Sequence, residues 1–189
     1  KAGQVRADRM TAAEQFAKTT PERTAVVQIR GVIEYDPFWW GCSCQEISLI
    51  LDVLADRSDV ERIVFNINSP GGESHGVMEL ANKIYGMRSK IETVAIANCM
   101  ACSAGHWLGS AAEKFYAMGS GDVGSVGVYM MHVDQSGLLE KEGVKVSFVQ
   151  AGLYKTEGNP YAPLDDTARA HLQARVSEDY NQFVGFLAK

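Results

Sequence analysis

The sequence holds no apolar run near the roughly 20 residues that a helix needs to cross a bilayer, and its start, KAGQVRADRM, lacks the hydrophobic stretch of a signal peptide. It also lacks a basic block. Its 18 Lys and Arg are dispersed among 23 Asp and Glu for a net charge of -5, which leaves no positive field for nucleic acid. Low-complexity segments and linkers are absent. These absences argue against a nucleic-acid partner and a membrane span, and they predict a cytosolic chain. The sequence begins without methionine and stops inside a helical pattern, which predicts a piece of a longer protein, and a membrane anchor outside this piece stays open.

Cysteine is scarce. The four occur as Cys42-x-Cys44 and Cys99-x-x-Cys102. The first spacing is short for a structural zinc site, and NCMACSAG is apolar, so the expectation is four reduced thiols in small core positions, with no metal. What the chain does have is a composition that is 46% hydrophobic and 22% charged over 189 residues, enough for one soluble domain with a sizeable core.

Short β-branched runs alternate with helical stripes. TAVVQIRGVIEY predicts a buried strand from about Thr24 to Ile33, and CQEISLILDVLADRSDV a helix with Ile47, Ile50, Leu51 and Leu54 on one face. ERIVFNIN is a strand running into SPGG. SHGVMELANKIYGMR is a helix with Val77, Leu80, Ala81 and Ile84 inward. TVAIAN and SAGHWLGSAA repeat strand and helix. GSVGVYMM and VKVSFVQA read as strands flanking the helix QSGLLEKEG, and LDDTARAHLQARVSEDYNQFVGFLAK reads as one long helix with Leu172, Val176, Tyr180, Phe183 and Leu187 on its apolar side. Alternation of this kind predicts an α/β fold with a parallel sheet. Residues 1–23 are polar and are expected to form an arm, followed by one domain over 24–189.

In an open parallel sheet, reactive groups collect where strands end and helices begin. At NINSPGGES, Gly71 and Gly72 let backbone N–H groups approach a ligand oxygen closely, as half of an oxyanion hole would. At ANCMACSAGHW, Ser103 stands at the start of a helix, where a nucleophile would sit or where a plain N-cap would. A serine hydroxyl needs a base. One candidate is His132, with Asp134 near it in YMMHVDQSG; His75 and His171 are further histidines, and His106 reads as a packed or rim residue. The other candidate is Lys155, in the glycine-rich loop QAGLYKTEGNPY. A lysine acts as a base only when neutral, which requires bringing its pKa from about 10.4 toward roughly 7–8 by desolvation. Tyr154 and Tyr161 are bulky enough to shield it, and Glu157, the one nearby acid, must point away.

Taken in order, VVQIRGVI, NSPGGES, ACSAGHWLGSAAEKFYAMGSGDVGSVGV and GLYKTEGNPYAPL resemble the S49 peptidases, the family of signal peptide peptidase A and of head-maturation proteases of tailed phages. The resemblance runs from Thr24 onward, and KTEGNPYAPL followed by a long helix is most similar to the phage branch. It implies a ClpP/crotonase-like spiral of ββα units and a serine endopeptidase with a Ser/Lys dyad. Residue by residue, Ser103 matches the nucleophile, Lys155 the general base and Ser125 the hydroxyl that holds the lysine. Gly71 and Gly72, with the N–H of Ser103 or Ala104, match the oxyanion hole. CSAGHW departs from the commoner ASGGY around the nucleophile, so the pocket shape is open.

No metal or cofactor is implied. The implied partners are a polypeptide substrate in an extended strand, scaffold or capsid protein for the phage branch, and further copies of the chain. The implied place is the host cytoplasm or the prohead. Small residues around Ser103 predict a shallow pocket for small side chains, and PFWWG, Pro37 to Gly41, predicts an interface or a grip on substrate. The alternatives are a peptidase that degrades signal peptides, a crotonase-like acyl-CoA enzyme whose glycine N–H groups polarise a thioester, and a non-catalytic assembly protein.

Overall fold

A computed structural model describes residues 22–36 and 41–189. The expected N-terminal arm up to Pro21 and the Pro37–Trp40 part of the aromatic cluster lie outside the described residues. Two compact units are present: one runs to Gly127 and includes Gln182–Lys189, and the other is Val128–Asn181.

The first unit is built on a five-stranded sheet of β1 (Thr24–Arg30), β4 (Arg62–Ser69), β5 (Glu92–Cys102), β6 (Lys114–Ala117) and β7 (Asp122–Gly124), with β2 (Ile33–Glu34) and β3 (Cys42–Ser43) as a separate pair. Every pairing is parallel. The order is β1-β4-β5-β6, and β7 also lies on β5. The reason is β5. It is 11 residues long, pairs β6 through Val94–Ala97 and β7 through Met100–Cys102, and between these stretches its backbone turns at Cys99, φ 89°. The break passes the strand from one neighbour to the next, as a bulge does.

One face of the sheet carries the core. Val27 and Ile29 of β1, Ile63, Phe65 and Ile67 of β4 and Ala95 and Ala97 of β5 are buried with Ile47, Leu51 and Leu54 of α1 (Cys44–Ala55) and Leu80 and Ile84 of α2 (Val77–Met87). Each large side chain so buried contributes about 1.5–3 kcal/mol. Ser43 starts α1 by accepting a hydrogen bond from the Glu46 N–H, 3.1 Å, which satisfies one of the free amides of the first turn. The strands and helices expected up to Ala112 are therefore found, with β1 ending at Arg30, three residues earlier than expected.

The second unit contains α4 (Ser136–Lys141) and most of α5 (Asp166–Leu187), whose last residues belong to the first unit. GSVGVYMM and VKVSFVQA are not strands here. Their alternation is real, but a strand requires a ladder partner, and beyond Gly124, the end of β7, these segments form none among the described residues. In the first unit the end of α5 is buried through Phe183 and Phe186, whereas Tyr180, expected on the apolar side, is exposed.

Candidate active site

Three strand ends meet at one edge of the sheet. β4 stops at Ser69, β5 at Cys102 and β7 at Gly124, and register places Ser69 beside Ala101 and Cys102 beside Gly124. Ser103 and Ser125 each follow one of the paired residues Cys102 and Gly124. Topology alone thus brings together two serines from distant stretches of chain.

Ser103 has φ 51° and ψ -121° and precedes α3 (Ala104–Ser110) without making a side-chain capping hydrogen bond. That conformation is sparsely populated for an L-residue and is held by the surrounding structure. Its N–H donates to the Gly124 carbonyl, 2.8 Å. The N-cap alternative therefore describes its position in the chain but not the use of its hydroxyl. Ser125 also has a positive φ, 55°.

The SPGG turn is fitted against this serine. A β-carbon on Gly71, φ 104°, would stand 2.6 Å from Cβ and 3.1 Å from Oγ of Ser103, and one on Gly72 would meet the Ile33 carbonyl oxygen at 1.9 Å. Only glycine fits at either place. The turn is fixed by backbone pairing, since Ile33 N–H donates to the Gly71 carbonyl, 2.9 Å, and Glu73 N–H to the Ile33 carbonyl, 2.8 Å. Gly71 N–H donates to Ser69 Oγ, 3.1 Å, and Ser69 Oγ donates to the Gly31 carbonyl, 2.7 Å.

Of the four amides expected at an oxyanion hole, those of Gly71 and Ser103 are committed to other acceptors. Strand alternation turns the Gly72 N–H away from Ile33, and the Ala104 N–H, first in α3, has no acceptor within its helix.

At the far end of α3, Arg88 donates through Nε to the Ala111 carbonyl, 2.7 Å, and through one terminal nitrogen to those of Ser110, 2.7 Å, and Ala112, 2.6 Å. One guanidinium satisfies three carbonyls that the helix leaves open. Sequence reading missed Arg88 and placed Ser69 at the strand end without its role, because carbonyl partners 22 or more residues away leave no local pattern.

Lys155 belongs to the second unit, where it is exposed in the loop before α5. The two tyrosines expected to shield it are engaged elsewhere. Tyr154 sets its ring edge-on to His171, centroids 4.7 Å apart, and Tyr161 lies 6.2 Å from Phe148. Glu157 does turn aside, its Oε1 2.8 Å from Nδ1 of His171. His132 and Asp134 do not pair with one another: His132 Nε2 meets the Asn159 carbonyl, 2.9 Å, while Asp134 Oδ1 accepts from the Ser136 N–H, 2.8 Å, and the Ser136 hydroxyl, with that amide, holds its carboxyl below the usual carboxylate range. His106 packs between Phe115 and Phe183, and burial lowers its pKa.

Cys42 and Cys44 are buried thiols, pushed up to about 11 and about 12 chiefly by desolvation. Cys99, expected in the core, is exposed because the turn in β5 swings it out. Among the described residues no group of three or more His, Cys, Asp or Glu is arranged to hold a metal ion, and no helix is long and apolar enough to cross a membrane.

Comparison with known proteins matches residues 86–189 to the model of peptidase family S49 and residues 26–122 to that of Clp protease. The chain is 36% identical over 124 residues to capsid assembly protease C of Escherichia phage lambda, covering 66% of this chain and 28% of that protein. It is 31% identical over 137 residues to head-tail preconnector protein GP5 of Enterobacteria phage P21, 72% of this chain and 27% of that one. It is 24% identical over 174 residues to protease 4 of Haemophilus influenzae, 89% of this chain and 28% of that one. It spans little more than a quarter of the length of each.

Proposed function

The chain belongs to peptidase family S49, and on that premise we propose that it is a serine endopeptidase in which Ser103 is the nucleophile and Lys155 the base. The observation that carries the reading is Ser103 itself: a strained residue at a strand end, its hydroxyl not used as a cap, with Gly71 fitted against its side chain.

In this reading neutral Lys155 takes the hydroxyl proton as Oγ attacks a peptide carbonyl, and Ser125 orients the amine. The carbonyl oxygen gains the negative charge and is met by the N–H groups of Gly72 and Ala104. Each well-aimed donor there is worth roughly 3–4 kcal/mol. The ammonium then protonates the leaving nitrogen as the C–N bond breaks, and water, deprotonated by the same amine, releases the acyl group from Ser103. A substrate strand lying over Lys155 would supply the dry surroundings that a neutral amine needs.

The phage relatives support a role in capsid maturation, with a scaffold or head protein as substrate and the host cytoplasm or prohead as its place. Apolar residues left open in the second unit, Tyr129 at 88% and Val149 at 104% exposure, support association into a homo-oligomer. The test is to incubate the protein and its Ser103→Ala and Lys155→Ala variants with unfolded protein substrates and to map the cuts by mass spectrometry. Both variants are expected to be inert and folded. Cleavage retained by either one refutes the dyad.

A further inference from the structure

Lys155 is bracketed by two residues that face a single histidine. The Tyr154 ring stands edge-on to His171 and the Glu157 carboxylate lies 2.8 Å from its Nδ1, so one side chain of α5 holds the loop on both sides of the lysine. We infer that His171 is a positioning residue for the base: by holding Glu157 it keeps the nearest carboxylate off Lys155. This rests on the reading of Lys155 as the base.

The reason is electrostatic. Glu157 is two residues from Lys155 and its side chain is only 18% exposed. A carboxylate so little solvated must have a partner. If that partner were the Lys155 ammonium, the opposite charge would favour the protonated amine, and the neutral form would appear only at higher pH. His171 meets the need from the other side. Donation from Nδ1 requires only a ring with its hydrogen on that nitrogen, so the bond persists when the ring is neutral.

The remaining titratable and charged groups leave this arrangement intact. Asp165 and Asp166 line, with Glu157, a cavity of about 540 Å³, and Asp165 is occupied as the acceptor of the Ala168 N–H, 2.8 Å. His132 reaches the loop only at the Asn159 carbonyl. Arg175, one turn along α5 from His171, is the cation on that helix face.

The experiment reads Lys155 directly. Its reaction with an amine-modifying reagent is followed by mass spectrometry as a function of pH, alongside cleavage of unfolded casein. In His171→Ala both profiles are expected to move about one pH unit to the alkaline side, with the wild-type rate regained at high pH. His171→Asn, which returns a donor near the position of Nδ1, restores the original profiles, and so does adding Glu157→Gln to His171→Ala. Should His171→Ala fail to fold, His171→Phe keeps a ring against Tyr154 without the donor and carries the same expected displacement. Profiles that coincide with wild type, or an alkaline displacement that Glu157→Gln does not reverse, overturn the inference. Cleavage by Lys155→Ala overturns instead the reading of Lys155 as the base, whatever the labelling shows.

Discussion

The Ser103 amide donates to the carbonyl oxygen of Gly124 at 2.8 Å, which ties the backbone of one serine to the strand that delivers the other. The bond helps hold Ser103 at φ 51° and ψ -121°, outside the basins that side-chain-bearing residues prefer.

Ser103→Ala should therefore remove cleavage while changing stability by no more than about 0.5 kcal/mol, since the hydroxyl caps nothing. Ser103→Gly should be equally inactive and at least as stable as the alanine variant. Glycine ordinarily costs roughly 0.5–1 kcal/mol, but here it relieves backbone strain of about 1–3 kcal/mol. Thermal unfolding of the two variants checks this; a clearly weaker glycine variant would mean the backbone is not strained.

Gly71→Ala puts a β-carbon 2.6 Å from Cβ of Ser103, and the clash can be relieved only by moving the turn or the nucleophile. We expect kcat to fall by about 100-fold or more, the scale of losing one oxyanion donor. Steady-state kinetics on a peptide cut out of the mapped substrate decides it. A wild-type rate would place the reacting atoms elsewhere.

Ser69→Ala leaves the Gly31 carbonyl and the Gly71 N–H without their shared partner inside the protein. The expected cost is about 1–3 kcal/mol in urea unfolding, with kcat reduced more than KM is raised, because the turn loosens where the oxyanion forms. Unchanged stability would show that water replaces the hydroxyl.

Burial holds the Cys42 and Cys44 thiols at about 11 and about 12 against 9.0 for a free thiol. An acid with a raised folded pKa loses its proton first in the unfolded chain, so its contribution is full below about pH 9 and is lost as pH climbs through 11 to 12. The unfolding midpoint should fall over that range, and fall less steeply in the Cys42→Ala/Cys44→Ala protein. With a thiol reagent at neutral pH, Cys99 should react at once and Cys42 and Cys44 only on unfolding. Immediate labelling of all three would contradict the burial.

The core strands and the helices were readable because parallel strands are continuous apolar runs and their helices keep a 3.6-residue stripe. Ser103 and the Gly71–Gly72 turn were readable for a related reason, since each stands where one pattern gives way to the other. The segments around Tyr129 and Phe148 show how far a pattern reaches: alternation marks residues fit to pair, and a partner must still be present. β6 and β7 are four and three residues long, exist through β5, and carry too little periodicity to be seen. Arg88 and the roles of Ser69 and His171 went unread because Arg88, the Ser69 hydroxyl and His171 reach partners 14 to 38 residues away, which nothing adjacent in sequence marks.

The Trp107 indole is stacked on the Phe183 ring, centroids 4.7 Å apart and planes within 5°, and Phe186 packs beside it. The turn of helix that follows Ser103 thus has its aromatic flank closed by residues made some 75 positions later. On the ribosome, a chain that has emerged only as far as the second unit carries every group assigned to the chemistry but leaves that flank wet. Until synthesis has passed Phe186, that side of Trp107 has no cover from α5.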